Sequence, residues 1–294
     1  RRTRRKTPDG ITLEVLDADH PPALRGAHAA DSGTRKHAPE AFKKGEGRAQ
    51  DPNGRKTRVP LLGTPDQGGK HGAPLKRRGK LILATLAGAV VVALAAVQLA
   101  SVPRPVGESG PAAEALAARI MGAVNAEAWS RTGAVAWTFS GRNRHLWDVR
   151  RNLARVTSGD GVTWVNLADG TGVAEAGGHR LAGGDAERAV RNAYAAWVND
   201  AFWMMGPAKI MDEGTTRALV KLADGTDALW VSYASGGVTP GDAYLWIPGP
   251  DGTPRAWRMW VSILPVKGLE ATWEDWVTLE TGPRVATAHR MAGM

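Results

Sequence analysis

The chain has 294 residues, 38 Lys and Arg against 29 Asp and Glu, a formal net charge of +9, twelve tryptophans and no cysteine. The absence of cysteine excludes disulfides, thiolate zinc sites, a cysteine nucleophile and a lipid-modified cysteine. Residues 1–80 hold 19 basic against 9 acidic side chains, which leaves 19 against 20 for the rest. The basicity therefore belongs to an N-terminal tail, and a basic tail beside an apolar run points to membrane orientation and anionic lipid rather than to a nucleic-acid surface on the folded part.

Residues 1–79 read as a disordered basic tail. They are rich in Gly, Pro, Lys, Arg, Ala and Asp, and they contain Phe42 but no Trp or Tyr. No stretch keeps a period of 3.6 or 2 for long, the best candidate being residues 11–16. So little apolar surface cannot offset roughly 1 to 2 kcal/mol of backbone entropy per residue. The cluster Arg1–Lys6 could touch nucleic acid or phospholipid; a solvated tail is the plainer expectation. No methionine precedes Met121, so the sequence reads as a fragment, a processed product or a frame opened upstream of a start near Leu75.

Residues 81–102 are uncharged. As a helix they would span about 33 Å at about 1.5 Å per residue, enough for a bilayer core. The basic residues Lys76, Arg77, Arg78 and Lys80 stand at one end only, and Pro103 and Pro105 close the other. These features predict a transmembrane helix or signal sequence over 80–102, a linker over 103–110, and a domain over 111–294 outside the cytoplasm. The protein would be single-pass in the inner membrane, its C-terminal domain periplasmic. Ala93-Leu94-Ala95 fits a cleavage site, which would release the domain to the periplasm. The apolar character continues through Val97, Leu99 and Val102 and favours an uncleaved anchor.

The domain opens with Ser109-Gly110-Pro111 and a helical stripe of Leu116, Ile120 and Val124. From Gly133 the period changes to 2, with Val135, Trp137 and Phe139 alternating with smaller residues. Strands are expected at 145–151, 153–156, 162–167 and 173–181, with turns at Gly159-Asp160-Gly161, Asp169-Gly170 and Gly177-Gly178. A second helix, capped by Asp185, carries Val190, Tyr194, Trp197 and Ala201 on one face and ends at Gly206-Pro207. Further strands follow at 217–222, 228–233, 243–247, 255–263, 271–279 and 285–289. Helix, strands, helix and more strands predict an α+β domain with an open, curved antiparallel sheet, a half-barrel wrapped around helices.

No catalytic or metal signature accompanies this pattern. His145 and Asp148 fall on opposite faces of a strand and cannot meet. His179 and His289 are isolated and read as solvated, Glu274 and Asp275 diverge, and no His-x-His or Glu-x-x-His pair suggests a metal. Ser140, Ser232 and Ser235 lack a nucleophile elbow, and Gly177-Gly178 and Gly183-Gly184 lack the lysine of a phosphate loop. The protein is expected not to be an enzyme and to use no cofactor. Trp257, Met259 and Val261 share one strand face, Trp260 takes the other, and Trp273 and Trp276 are expected to diverge.

Two stretches carry a family likeness: Trp197-Val198-Asn199-Asp200-Ala201-Phe202-Trp203 followed by Lys209 and Asp212, and Asp242-Ala243-Tyr244-Leu245-Trp246-Ile247 followed by 255–259. With the element order over about 112–291, they resemble the bacterial lipoprotein-carrier family of LolA and LolB. That resemblance implies a curved sheet around helices, a hydrophobic cavity and no catalytic residues. The apolar run departs from a freely diffusing carrier and favours a tethered receiver or sensor. The expected function is non-catalytic binding of a lipid, acyl chain or lipoprotein at the cell envelope, in a cavity lined by Trp137, Phe139, Trp197, Phe202, Trp257 and Met259. The expected partners are the membrane, a lipid or lipoprotein and an envelope protein, with no nucleic acid for the folded domain. The alternative is an interaction or envelope-sensing module that uses an exposed aromatic patch.

Overall fold

The computed structural model describes residues 11–18, 74–235 and 238–292. The basic cluster at the N-terminus and most of the tail lie outside the described residues, as do Gly236 and Gly237. The chain divides into two compact units, Arg1–Ala27 with Ala93–Met294, and His28–Val92.

The first departure from expectation is in the tail, where β1 (Ile11–Ala18) is a strand. Helix α1 runs over Pro74–Ala100, beginning at a proline, which suits a first turn because its missing N–H is unpaired there anyway. Among the described residues no helix is long and apolar enough to cross a membrane. Ile82, Leu86, Val90, Val91, Val92, Leu94 and Leu99 are nevertheless exposed, and three consecutive positions among them place apolar surface around the whole circumference of the helix.

The apolar run stops being helical before its last residues. Val102 donates its N–H to the Lys267 carbonyl at 2.9 Å and accepts from Trp260 Nε1 at 2.8 Å. The expected linker is likewise docked. Glu108 and Leu219 exchange both backbone hydrogen bonds, at 2.9 and 2.8 Å, and a Cβ on Gly107 would stand 2.7 Å from the Leu219 oxygen. Only glycine lets the chain approach β8 (Thr215–Lys221) so closely.

Helix α2 (Pro111–Ala123) buries Ala113, Leu116, Ala117 and Ile120, the stripe expected from its spacing. The strands then follow as hairpins: β2 (Ala134–Phe139), β3 (Asn143–Asp148), β4 (Leu153–Ser158), β5 (Gly161–Asn166), β6 (Gly172–Ala176) and β7 (His179–Arg180). Gly177 and Gly178 join the last two, both with positive φ, as a two-residue hairpin turn requires. Helix α3 (Gly183–Met205) comes next. Its N-cap is Ala182, without a side-chain cap bond; Asp185, expected to cap it, lies in the first turn and pairs with Arg188.

The second half adds β8, β9 (Asp227–Tyr233), β10 (Ala243–Pro248), β11 (Pro254–Trp260), β12 (Leu269–Thr272), β13 (Glu274–Thr278) and β14 (Arg284–His289). Among the described residues two open sheets result, one in the order β13-β14-β1-β2-β3-β4-β5-β6-β7 and the other β12-β11-β10-β9-β8. All pairings are antiparallel. The α+β class and the open antiparallel arrangement are what the sequence pattern implied, whereas the one curved sheet expected is two sheets. The single strand expected over 271–279 is two strands, because β12 pairs with β11 in one sheet while β13 pairs with β14 in the other. A bridge between Ala271 and Met291 joins the two sheets at that crossing.

Candidate functional site: an aromatic interior divided by helix α3

Consecutive residues of α3 point in directions about 100° apart, so its last turns can serve two clusters at once. Ala201, Met204 and Met205 pack with Trp129, Val135, Trp137 and Trp147 of the larger sheet's side. Phe202 and Trp203 pack with Trp246, Trp257 and Met259 of the smaller sheet and with Trp273, which lies between β12 and β13. The helix is a wedge between two aromatic groups.

Trp257 is the hub of the second group. Cross-strand pairing sets Trp246 directly opposite Trp257 and Tyr244 opposite Met259, which brings same-face side chains into contact. Trp257 lies 4.8 Å from Tyr244 and from Trp203, 4.9 Å from Trp246, 5.0 Å from Trp273 and 5.6 Å from Phe202, centroid to centroid. As alternation required, Trp257, Met259 and Val261 share this cluster while Trp260 enters a separate one with Leu245 and Ile247. Burial pushes the Tyr244 and Tyr233 phenols well above their ordinary range, so both stay neutral.

Trp273 and Trp276 correct one expectation. They stack at 5.8 Å with planes 25° apart, because Asp275 between them has a positive φ and breaks the alternation on which their divergence rested. His289 corrects another. It is 1 % exposed, its Nδ1 lies 2.9 Å from the Thr272 carbonyl, and its ring meets Trp273 at 4.7 Å and Trp203 at 5.1 Å. Burial lowers its pKa to about 4. His179 is exposed, as read.

The first group contains a contact that the sequence did not disclose. His145 Nε2 lies 2.8 Å from Asp200 Oδ2, both buried, and its ring stacks on Trp137 at 4.6 Å. Asn143 donates to the same oxygen at 2.8 Å, and Asn199 to the other at 3.0 Å. The carboxylate on α3 thus gathers donors from β3 and from its own helix. Asp148 instead accepts from the Arg151 N–H at 3.0 Å. Among the described residues no serine, threonine or tyrosine hydroxyl joins the His145–Asp200 contacts, so the pair has the geometry of a clamp between helix and sheet. No group of three metal-ligating side chains occurs among them either.

The six residues expected to line one cavity fall into two triads. Trp137, Phe139 and Trp197 belong to the first group, and Phe202, Trp257 and Met259 to the second. Trp137, Trp257 and Met259 are 1–2 % exposed. Two surface grooves of about 660 and 560 Å³ are lined by other residues: Arg104, Asp242, Trp260 and Lys267 in one, Thr138, Arg142, Arg144 and Thr157 in the other. Seven of the twelve tryptophans are buried, and Trp164, Trp197, Trp203, Trp230 and Trp276 are half-buried. Sequence reasoning missed Trp203, Tyr244, Trp246 and Trp273 as members of this interior. The alternation Tyr244-Leu245-Trp246 carried the signal for two of them.

The interior is also polar in an unusual way. The indole N–H groups of Trp137, Trp147, Trp197, Trp257, Trp273 and Trp276 are buried and have no hydrogen-bond partner among the described residues. In comparison with known proteins, the chain matches no family model and no curated relative.

Proposed function

We propose that the domain is a non-catalytic cell-envelope module that binds an acyl chain, as a free lipid or as part of a lipoprotein, in the aromatic interior around α3, and that the described state is the closed one. The observation that carries this reading is the set of six buried, unpaired indole donors. Each such donor costs about 1–3 kcal/mol, and simple core packing would have used phenylalanine or leucine at less cost. An interior of rings with spare donors suits an occupant with a long apolar body and a carbonyl or carboxylate head. Trp197 and Phe202 of α3 each belong to one of the two triads, so a movement of α3 would open both linings together.

The curved half-barrel and the membrane anchor belong to the same proposal. The anchor is supported by the uncharged stretch 81–102, the one-sided basic flank and the exposed apolar side chains around α1. In water that surface would be costly, whereas in lipid it is matched. The domain would then work on the outer side of the inner membrane, facing lipid or lipoprotein, with an envelope protein as a further partner.

Native mass spectrometry of the full chain extracted from cells tests the reading. The expected spectrum contains a second, heavier series shifted by the mass of a lipid or fatty acid. A single apo series, unchanged after incubation with fatty acid, would overturn it.

A further inference from the structure

The uncharged stretch ends against a loop that is fastened to it. Ser101 Oγ accepts from the Lys267 N–H at 3.1 Å, and the Val102 N–H donates to the Lys267 carbonyl at 2.9 Å. Gly268 has a positive φ, and a Cβ there would stand 2.7 Å from that of Val102, so glycine is what admits the close approach. Residues 261–268 are thereby held beside the last residues of the apolar run. Large apolar side chains stay in the open on both sides of this junction: Leu99 is 88 %, Val102 45 % and Ile263 67 % exposed.

The same junction walls the groove of about 660 Å³, through Ser101, Val102, Arg104, Asp242, Trp260 and Lys267. Leu99 and Ile263 each adjoin a residue of its wall. The two cations are tied to backbone and not to carboxylates. Lys267 Nζ donates to the Val261 and Leu264 carbonyls at 2.6 and 2.7 Å. Arg104 Nη2 donates to the Gly241 carbonyl at 3.1 Å, and its guanidinium lies 6.0 Å from the centre of the Trp230 ring. Asp242 Oδ1 accepts the Ser262 N–H at 2.7 Å. Among the described residues none of these three charges enters an ion pair. Ammonium and guanidinium groups have more N–H donors than these contacts use, and two cations with one carboxylate leave the groove one net positive charge.

We propose that this groove binds the phosphodiester of a membrane glycerophospholipid, whose acyl chains lie along Leu99, Val102 and Ile263. Guanidinium and ammonium donors make their strongest hydrogen bonds to such anionic oxygens. The single negative charge of a phosphodiester matches the net charge of the groove, whereas a phosphomonoester carries about −1.5 to −2 at pH 7 and would be repelled by Asp242. The apolar rim calls for a ligand with chains attached, and a tryptophan beside it is the side chain that sits at headgroup level. Trp260 belongs to neither aromatic group around α3, so this site is separate from the interior. That the lipid comes from the bilayer crossed by residues 81–102 rests on the anchor reading above; the chemistry of the groove does not.

Native mass spectrometry of the full chain in detergent, titrated with dioleoyl phosphatidylglycerol, tests the proposal. The unaltered chain should bind it saturably. The double variant Arg104→Gln, Lys267→Gln should bind it about tenfold more weakly or less, the loss of at least one charge-assisted hydrogen bond, and should bind dioleoylglycerol, which has the same chains and no phosphate, as the unaltered chain does. Equal affinity of the two proteins for phosphatidylglycerol, or an equal loss for both lipids, would overturn the proposal. Because Lys267 also closes its own loop, Arg104→Gln alone is a second variant; it should show a smaller loss confined to phosphatidylglycerol, and no loss would overturn the role of Arg104. Inorganic phosphate at the lipid's concentration should leave the lipid bound, and its displacement of the lipid would assign the groove to a free anion instead. Oleate reports the interior independently: a chain that binds phosphatidylglycerol through these cations but takes no oleate would keep the groove and remove the acyl-chain reading.

Discussion

His289 shows how one side chain links the aromatic interior to pH. Its ring is surrounded by Trp203 and Trp273, and desolvation lowers its pKa to about 4 from an ordinary 6.5, against the opposing backbone carbonyl contact. The folded state therefore resists protonation that the unfolded chain accepts. The stability contributed by the neutral ring is complete above about pH 6.5 and is lost as pH falls from there toward 4, because the unfolded state binds more protons across that window. At about 1.4 kcal/mol per pKa unit the loss is roughly 3 kcal/mol. Urea midpoints measured between pH 7 and pH 4 should fall for the native protein and fall distinctly less for His289→Gln, which keeps a donor for the Thr272 carbonyl but does not titrate. Equal slopes for the two proteins would show that His289 is not held neutral by burial.

That outcome was not legible from sequence, where His289 had no partner in view. A lone histidine on a strand reads as solvated until the sheet crossing at Trp273 brings β14 and α3 together around it.

At the scale of elements, α3 is held by polar chemistry at one point and by rings elsewhere. Asp200 draws His145 and Asn143 of β3 onto the helix. Asp200→Ala leaves those two buried groups without an acceptor and should destabilise the protein by about 3 kcal/mol, read as a lowered urea midpoint. Asp200→Asn keeps an acceptor oxygen and should lose less. If the two variants are equally stable, the clamp is not what fixes the helix.

The elements themselves were largely readable. Period-2 alternation marked β2, β9, β10 and β11, and the four-residue stripe marked α2, because half-buried elements carry their burial pattern in local sequence. Three things were not readable for physical reasons. A change of sheet at Trp273 leaves no local mark, since both partners of the segment are remote in sequence. Asp275 in a positive-φ conformation reverses the alternation beyond it. β1, short and set in a polar tail, pairs with strands more than a hundred residues later in the chain, and such remote partners leave no local mark. The candidate site was readable as a surplus of tryptophan, while its division by α3 into two triads depended on packing.

For the whole molecule, the proposed function is one in which the aromatic interior around α3 is stored closed and opened by movement of that helix. On that proposal the unpaired indole donors would be the cost of the closed state, and the His145–Asp200 contact would be what the movement must break or pivot upon. Because seven of the twelve tryptophans are buried and the other five half-buried, a quencher carried on an acyl chain can reach most of them only by entering. Titration of the full chain with a fatty acid brominated along its chain therefore tests the central claim most directly. Saturable quenching of most of the tryptophan emission, with no effect from a soluble bromide salt at the same concentration, is the predicted result. Emission that stays unchanged, or that falls only in proportion to added lipid without saturation, would contradict it.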